Sequence, residues 1–289
     1  MTLSTPRPEE LPELIDILGG WQQDGLPIQL HPGDLGWAYQ IGASALAGRV
    51  RIWALDGQPL AMGFLDGPTV LRVAITPEAD SDQELAARMS QDATDPSRGV
   101  LPEGDVSVEA RFGSAFQTRL DAEGWQPDEP WTLFRCDFRN SIDSPEIRVQ
   151  EVGLGQVQTR VALQNASFGS SRFTEERWHA MAAGPAYASA GCLLAYDNDE
   201  TAVAMATVWS AGSGRPGLIE PMGVHPEHRG HGYGAAITKA AASALHTMGS
   251  SNALVCAESS NAGAVATYSS AGFQVTGQVT DYRRANFCA

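Results

Sequence analysis

Long apolar runs are missing from this chain. Nowhere in its 289 residues does a stretch approach the ~20 apolar residues that a membrane-crossing helix requires. The first twenty residues are acidic and lack the basic flank and apolar centre of a secretory leader, so the cytoplasm is the expected compartment. Cysteine is scarce: Cys136, Cys192, Cys256 and Cys288 include no close pair, which points away from a zinc site or a disulfide framework. Lysine is nearly absent, with Lys239 alone among 19 basic residues against 34 Asp and Glu, for a net charge of −15. Such a surface repels phosphate backbones and anionic lipid, so no nucleic-acid or membrane partner is expected, while a cationic small molecule gains.

What is present is a globular composition, 43% hydrophobic, long enough for two domains at roughly 150 residues each. The polar stretch Arg139-Asn140-Ser141-Ile142-Asp143-Ser144-Pro145 is the natural boundary, giving domains 1–140 and 146–289. The two halves echo each other. Val73-Ala74-Ile75-Thr76-Pro77-Glu78 parallels Met222-Gly223-Val224-His225-Pro226-Glu227, and Glu123-Gly124-Trp125-Gln126 parallels Ala271-Gly272-Phe273-Gln274, at offsets of 149 and 148 residues. Their common spacing predicts a tandem repeat. The first half has a helix at Glu9–Leu18, and the second opens with a short strand, Ile147–Glu151, before helices at Val157–Ala166 and Thr174–Ala182. Each continues into paired strands, Val50–Leu55 with Leu60–Phe64 and Cys192–Tyr196 with Thr201–Trp209.

Chemistry concentrates between Leu218 and Phe273. Leu218 to Val224 reads as a strand in which Pro221 and Gly223 should break pairing locally. Arg229-Gly230-His231-Gly232-Tyr233-Gly234 then leads into a helix with Ile237, Ala240, Ala241, Ala244, Leu245 and Met248 on one face. A glycine-rich turn at a helix start leaves N–H groups free for phosphate oxygens. It is not a P-loop, because Lys239 comes too late, nor a dinucleotide fingerprint, because Ala235 stands where the third glycine belongs.

Arg229-x-x-Gly232-x-Gly234 after Val224-x-Pro226 resembles the acyl-CoA motif of the GNAT superfamily of N-acetyltransferases. The following strand Ala253–Ala257, a second helix opened by Asn261 as N-cap, and Tyr268 ahead of Gly272-Phe273 extend that resemblance over most of residues 146–289. It implies an α/β fold of two tandem domains, each a mixed, mostly antiparallel sheet flanked by helices, with acetyl-CoA wedged where the fourth and fifth strands splay. By the same resemblance Met222, Gly223 and Val224 offer main-chain groups to the pantetheine arm. Arg229, Gly230, His231, Gly232, Tyr233 and Gly234 would cradle the pyrophosphate, Asn261 would lie beside the arm, and Tyr268 would protonate the leaving thiolate. Direct attack by a small-molecule primary amine is the expected reaction. A non-catalytic CoA-binding scaffold and a peptide or protein acetyltransferase are the alternatives.

An alkylammonium with a pKa near 10.4 needs a base, for which Glu220 is the candidate, read as sharing strand parity with Met222 and Val224. Phe168, Phe173, Trp178, Tyr187, Trp209 and the Thr280–Arg284 segment are candidates for the acceptor side. His225, His228 and His231 have metal-like spacing but lie in a Pro/Gly loop without a carboxylate or Cys partner, so no metal is expected. Cys256 reads as a small buried hydrophobe. The first half departs from the motif: Glu78, Asp80, Asp82 and Glu84 stand where phosphates would lie, and no Tyr precedes Gly124. It is expected to be a degenerate copy without acetyl-CoA. The charge divides accordingly, net −13 over residues 1–145 and −2 over 146–289.

Overall fold

The computed structural model describes residues 1–138 and 147–284. The predicted boundary stretch and Cys288 fall outside them. In the first half β1 (Thr2–Ser4), α1 (Leu11–Gly20), α2 (Pro32–Ala38) and α3 (Ala43–Ala47) precede β2 (Val50–Leu55), β3 (Gln58–Leu65) and β4 (Val70–Ile75). Next come α4 (Gln83–Thr94), β5 (Val106–Glu109), α5 (Ser114–Ala122) and β6 (Gln126–Asp137). The second half repeats the plan. It begins with β7 (Arg148–Glu151), α6 (Val157–Phe168), α7 (Glu175–Ala182), β8 (Ala190–Tyr196) and β9 (Ala202–Ser210). It ends with β10 (Gly217–Val224), α8 (Tyr233–Thr247), β11 (Asn252–Glu258), α9 (Ala262–Ser270) and β12 (Gln274–Arg284). Thr174 caps α7 through its hydroxyl and Asn261 caps α9 through its amide oxygen, each accepting from an N–H that the helix itself cannot satisfy.

All twelve strands form one sheet in the order β1-β2-β3-β4-β5-β12-β6-β11-β10-β9-β8-β7. Only β4–β5 and β10–β11 pair in parallel, so the sheet is mixed and mostly antiparallel, as the resemblance implied. At the centre the halves exchange strands. β12 lies between β5 and β6, and the second part of β6 pairs with β11, from Trp131↔Glu258 to Asp137↔Asn252.

On one face a single core joins both halves: Leu35, Val50, Met62 and Phe64 pack in the same cluster as Leu163, Phe173, Met205 and Trp209. The opposite face carries two separate cores, one with α4 and α5 and one with α8 and α9. In the shared core α2 packs against β9. A Cβ on Gly33 or Gly36 would stand 2.5 or 2.4 Å from the Trp209 ring, so these glycines let the helix lie directly on the indole. Among the described residues no helix is long and apolar enough to cross a membrane.

Candidate active site

The site begins with a fault in β10. Ile219 pairs with Val208 and Met222 with Ala206, so Glu220 and Pro221 on β10 oppose Thr207 alone on β9 and one residue is extra. The parallel pairing with β11 ends after Gly217↔Ala253 and Leu218↔Leu254. Beyond that point the two strands part, as Pro221 suggested. The extra residue also inverts side-chain parity, which corrects the sequence reading of Glu220. Leu218 and Glu220 face the shared core, whereas Met222 and Val224 pack on the other face with α8 and α9.

On the α8 side the parting opens a cavity of about 610 Å³ lined by Met222, Gly223, Val224, Arg229, Gly230, Gly232, Tyr233, Gly234 and Asn261. His231 stands outside, exposed, with its ring stacked on Tyr233 at 5.9 Å. Gly230 and Gly232 both have φ of +82°, a left-handed conformation that a side chain would strain. Gly232 is the N-cap of α8 and the first backbone bond back to it comes from Ala236, so the amides of the first turn remain available. Close packing forms the cradle: a Cβ on Gly234 would lie 2.8 Å from Thr267, and one on Gly223 2.7 Å from Ser167. Arg229 is partly engaged by the protein, donating from Nη2 to the Ser167 carbonyl at 2.9 Å and tying α6 to this loop.

The corresponding place in the first half is filled by its own acids. Asp82 Oδ1 accepts from the amides of Glu84 and Leu85 at 2.9 and 3.0 Å, closing the start of α4. Asp80 accepts from the Ser114 amide and hydroxyl at 2.9 and 2.8 Å, closing the start of α5.

On the other side of β10 lies a second cavity, of about 670 Å³, walled by both halves; Glu220, Asp34, Arg72, Trp37, Phe64 and Phe173 are among its lining. Phe168, 53% exposed at the end of α6, borders both cavities. The Glu220 carbonyl accepts from Trp209 Nε1 at 2.7 Å, which fixes its backbone. Under Glu220 runs a buried charge network. Arg72 Nη1 lies 2.9 Å from Asp34 Oδ1, and Arg72 Nε donates to Glu109 at 2.9 Å. Arg111 in turn lies 3.4 Å from Glu109 and 3.3 Å from Asp281 on the exchanged strand β12. Arg72 and Glu220 are separated by four strands in the sheet order yet wall one cavity, so the sheet curls around it.

Burial pushes the Glu220 carboxyl above its ordinary range; Arg72 and Arg111 oppose this, while Glu109 and Asp66 add to it. Burial raises Asp34 to about 7 even against Arg72. Tyr268 turns its ring into the α8–α9 core, edge-on to Phe134 at 5.4 Å, and burial beside Cys256 and Glu220 holds its hydroxyl well above the usual phenol range. Cys256 is raised to about 11 by burial, with Arg111 Nη1 at 3.7 Å from its sulfur.

Of the acceptor-side candidates, Phe168 and Phe173 wall the second cavity. Trp178 and Trp209 are core, with Tyr187 packed between them. Within Thr280–Arg284, Asp281 joins the charge network and the rest pair with β5 and β6. Among the described residues no group of three His, Cys, Asp or Glu is placed to hold a metal. Sequence reasoning missed Asp34, Arg72, Glu109 and Arg111. Arg72, alone in the apolar run Val70-Leu71-Arg72-Val73-Ala74-Ile75, was the available signal, since a cation in such a strand must find buried partners.

Residues 160–273 match the acetyltransferase (GNAT) family. No curated protein matches the chain. Among solved structures it is similar to a GCN5-related N-acetyltransferase from Sphaerobacter thermophilus (21% identity, 98% of this chain and 95% of that one, TM-score 0.60). It is similar also to a GNAT-family acetyltransferase from Colwellia psychrerythraea (15%, 98% and 99%, 0.63). A third is a tandem GNAT protein from the clavulanic acid biosynthesis pathway (13%, 98% and 98%, 0.62). Residues 160–273 thus carry the match to the GNAT acetyltransferase family, within a fold similar over 98% of the chain to that of a tandem GNAT protein.

Proposed function

We propose that the chain transfers an acetyl group from acetyl-CoA to a primary amine of a small molecule, at one working site per chain. The observation that carries this is the pair of cavities on either side of the Glu220-Pro221 bulge, one offering free amides and the other a carboxylate, with Phe168 on the border of both. The cradle fits an acyl-CoA. Its glycines are held where side chains would collide or strain, and the α8 amides carry the partial positive charge that a pyrophosphate needs. Bound there, acetyl-CoA supplies a thioester-activated acetyl group.

The protein's own part is proton management. A carboxylate raised above its ordinary range is a stronger base toward an ammonium near pKa 10.4, which suits Glu220 to deprotonate the acceptor. Tyr268, kept protonated by burial, is the donor to the departing thiolate. Both halves wall the acceptor cavity, the first supplying Asp34, Arg72 and most of the charge network and the second supplying Glu220 and Phe173, while the second half holds the acyl donor.

The test is release of free thiol from acetyl-CoA across a panel of amines, with calorimetry of acetyl-CoA alone. One molecule bound per chain and turnover on at least one amine are expected. Tight binding without thiol release on any amine indicates a binding module, and two molecules per chain overturn the account of the first half. Y268F is expected to lower kcat by about 10²-fold, the low end for a positioned acid, with KM for acetyl-CoA near wild type. Unchanged kcat assigns Tyr268 to the core alone.

A further inference from the structure

We infer that the acceptor is an amine that also carries an acidic group, a carboxylate or a phosphate, borne on an apolar or aromatic body. This rests on the acetyl-transfer reading above and identifies its substrate class. Polarity runs along the second cavity. Two of its carboxylates lie deep: Asp34 is 4% exposed and held by Arg72, itself 9% exposed, with Glu220 beside them, while the third, Asp66, is exposed and lies 3.7 Å from Arg72. The rim is basic. Arg49 just before β2, Arg172 between α6 and α7, and Arg177 on α7 all line the cavity with exposed side chains.

Among the described residues, none of these three guanidinium groups has an ion pair or a hydrogen bond to the protein. Each therefore presents five N–H donors in a planar fork that suits a carboxylate or phosphate. Between floor and rim stands an aromatic pair, Trp37 and Phe173 stacked at 5.0 Å, among the polar side chains of Gln40, Gln164 and Asn165.

A ligand with its ammonium at Glu220 and its anion at the arginines is complementary from end to end. A polyamine is not, because its outer ammonium groups would meet the rim. The whole-chain charge of −15 that favoured a cation is a poor guide here, since charges beyond a Debye length of about 8 Å are screened.

The experiment compares four acceptors with acetyl-CoA and wild-type enzyme: an aromatic amino acid, its methyl ester, a phosphorylated aromatic amine, and spermidine. One or both anionic amines are expected to exceed the ester and spermidine in kcat/KM by about tenfold or more, chiefly through KM. The better of the two identifies the anion. In R172A/R177A the acid-to-ester ratio is expected to fall to about one, and in R172K/R177K to recover in part. Equal turnover of ester or spermidine, or a ratio that the alanine variant leaves intact, overturns the proposal.

If no amine is acetylated, the acetyl-transfer reading fails separately. Calorimetry with the N-acetylated amino acid then decides the anion site. Binding lost in R172A/R177A upholds it, and binding that is absent or unaffected by those substitutions overturns it.

Discussion

Exchanging Glu220 for Gln is expected to lower kcat by about 10²–10⁴-fold, the usual contribution of a positioned base, while the chain stays folded. Gln keeps the shape and the backbone that Trp209 Nε1 holds, and removes only the ionisable oxygen. Burial penalises the charged carboxyl, so its loss relieves a strain on the folded state rather than adding one. The pH profile separates chemistry from packing. Wild-type kcat should rise with pH as Glu220 loses its proton, at a midpoint above the ordinary Glu value near 4.3, because the folded protein raises that pKa. E220Q lacks this limb. A residual profile with the same acidic limb assigns the base to another group.

The largest loss of stability is expected from Arg72→Met. Arg72 is the buried cation that Asp34 and Glu109 share, and removing one partner of a buried pair typically costs about 3–5 kcal/mol. Urea unfolding measures it. The deficit has a definite pH dependence. Asp34 is already raised by burial, to about 7 with Arg72 present, and without the arginine it rises further. A carboxyl raised in the folded state is neutral at low pH and penalised once charged. Through Asp34 the R72M deficit is therefore flat while that carboxyl is protonated in both folded proteins, and it grows as pH rises through about 7, the wild-type value. Arg72 also lowers Glu220, so the acidic limb of kcat in R72M moves to higher pH. A deficit within about 0.5 kcal/mol, the range for an ordinary surface substitution, contradicts the network.

The local shape of the proposed cofactor cradle was legible because it is written in backbone conformation. Gly230, Gly232, Gly234 and the Asn261 cap each state a local requirement that neighbouring residues cannot override. The acid-filled first copy was legible for the same reason: Asp82 at a helix start has a local use for its carboxylate. The acceptor side was not. Parity counted straight through Glu220-Pro221 puts Glu220 with Met222, and only the pairing with β9 shows the extra residue that separates them.

The proposed base, Glu220, also takes its electrostatic setting from residues far away in sequence, Arg72, Glu109 and Arg111, brought to it by curvature of the sheet. The exchange of β6 and β12 was hidden by the repeat itself. Two copies of one pattern offer two similar edges, and nothing local says which strand takes which.

That exchange sets an order of events during synthesis. β6 leaves the ribosome long before β11 and β12, its neighbours on both edges, so a twelve-residue strand with two open edges must wait for the second half. β5 waits as well, since its outer neighbour is β12. The first half therefore cannot finish as an independent unit in the way that successive domains ordinarily do, and its closing contacts are of the long-range kind that form slowly. During that interval two chains on one message could exchange strands with each other as readily as within themselves.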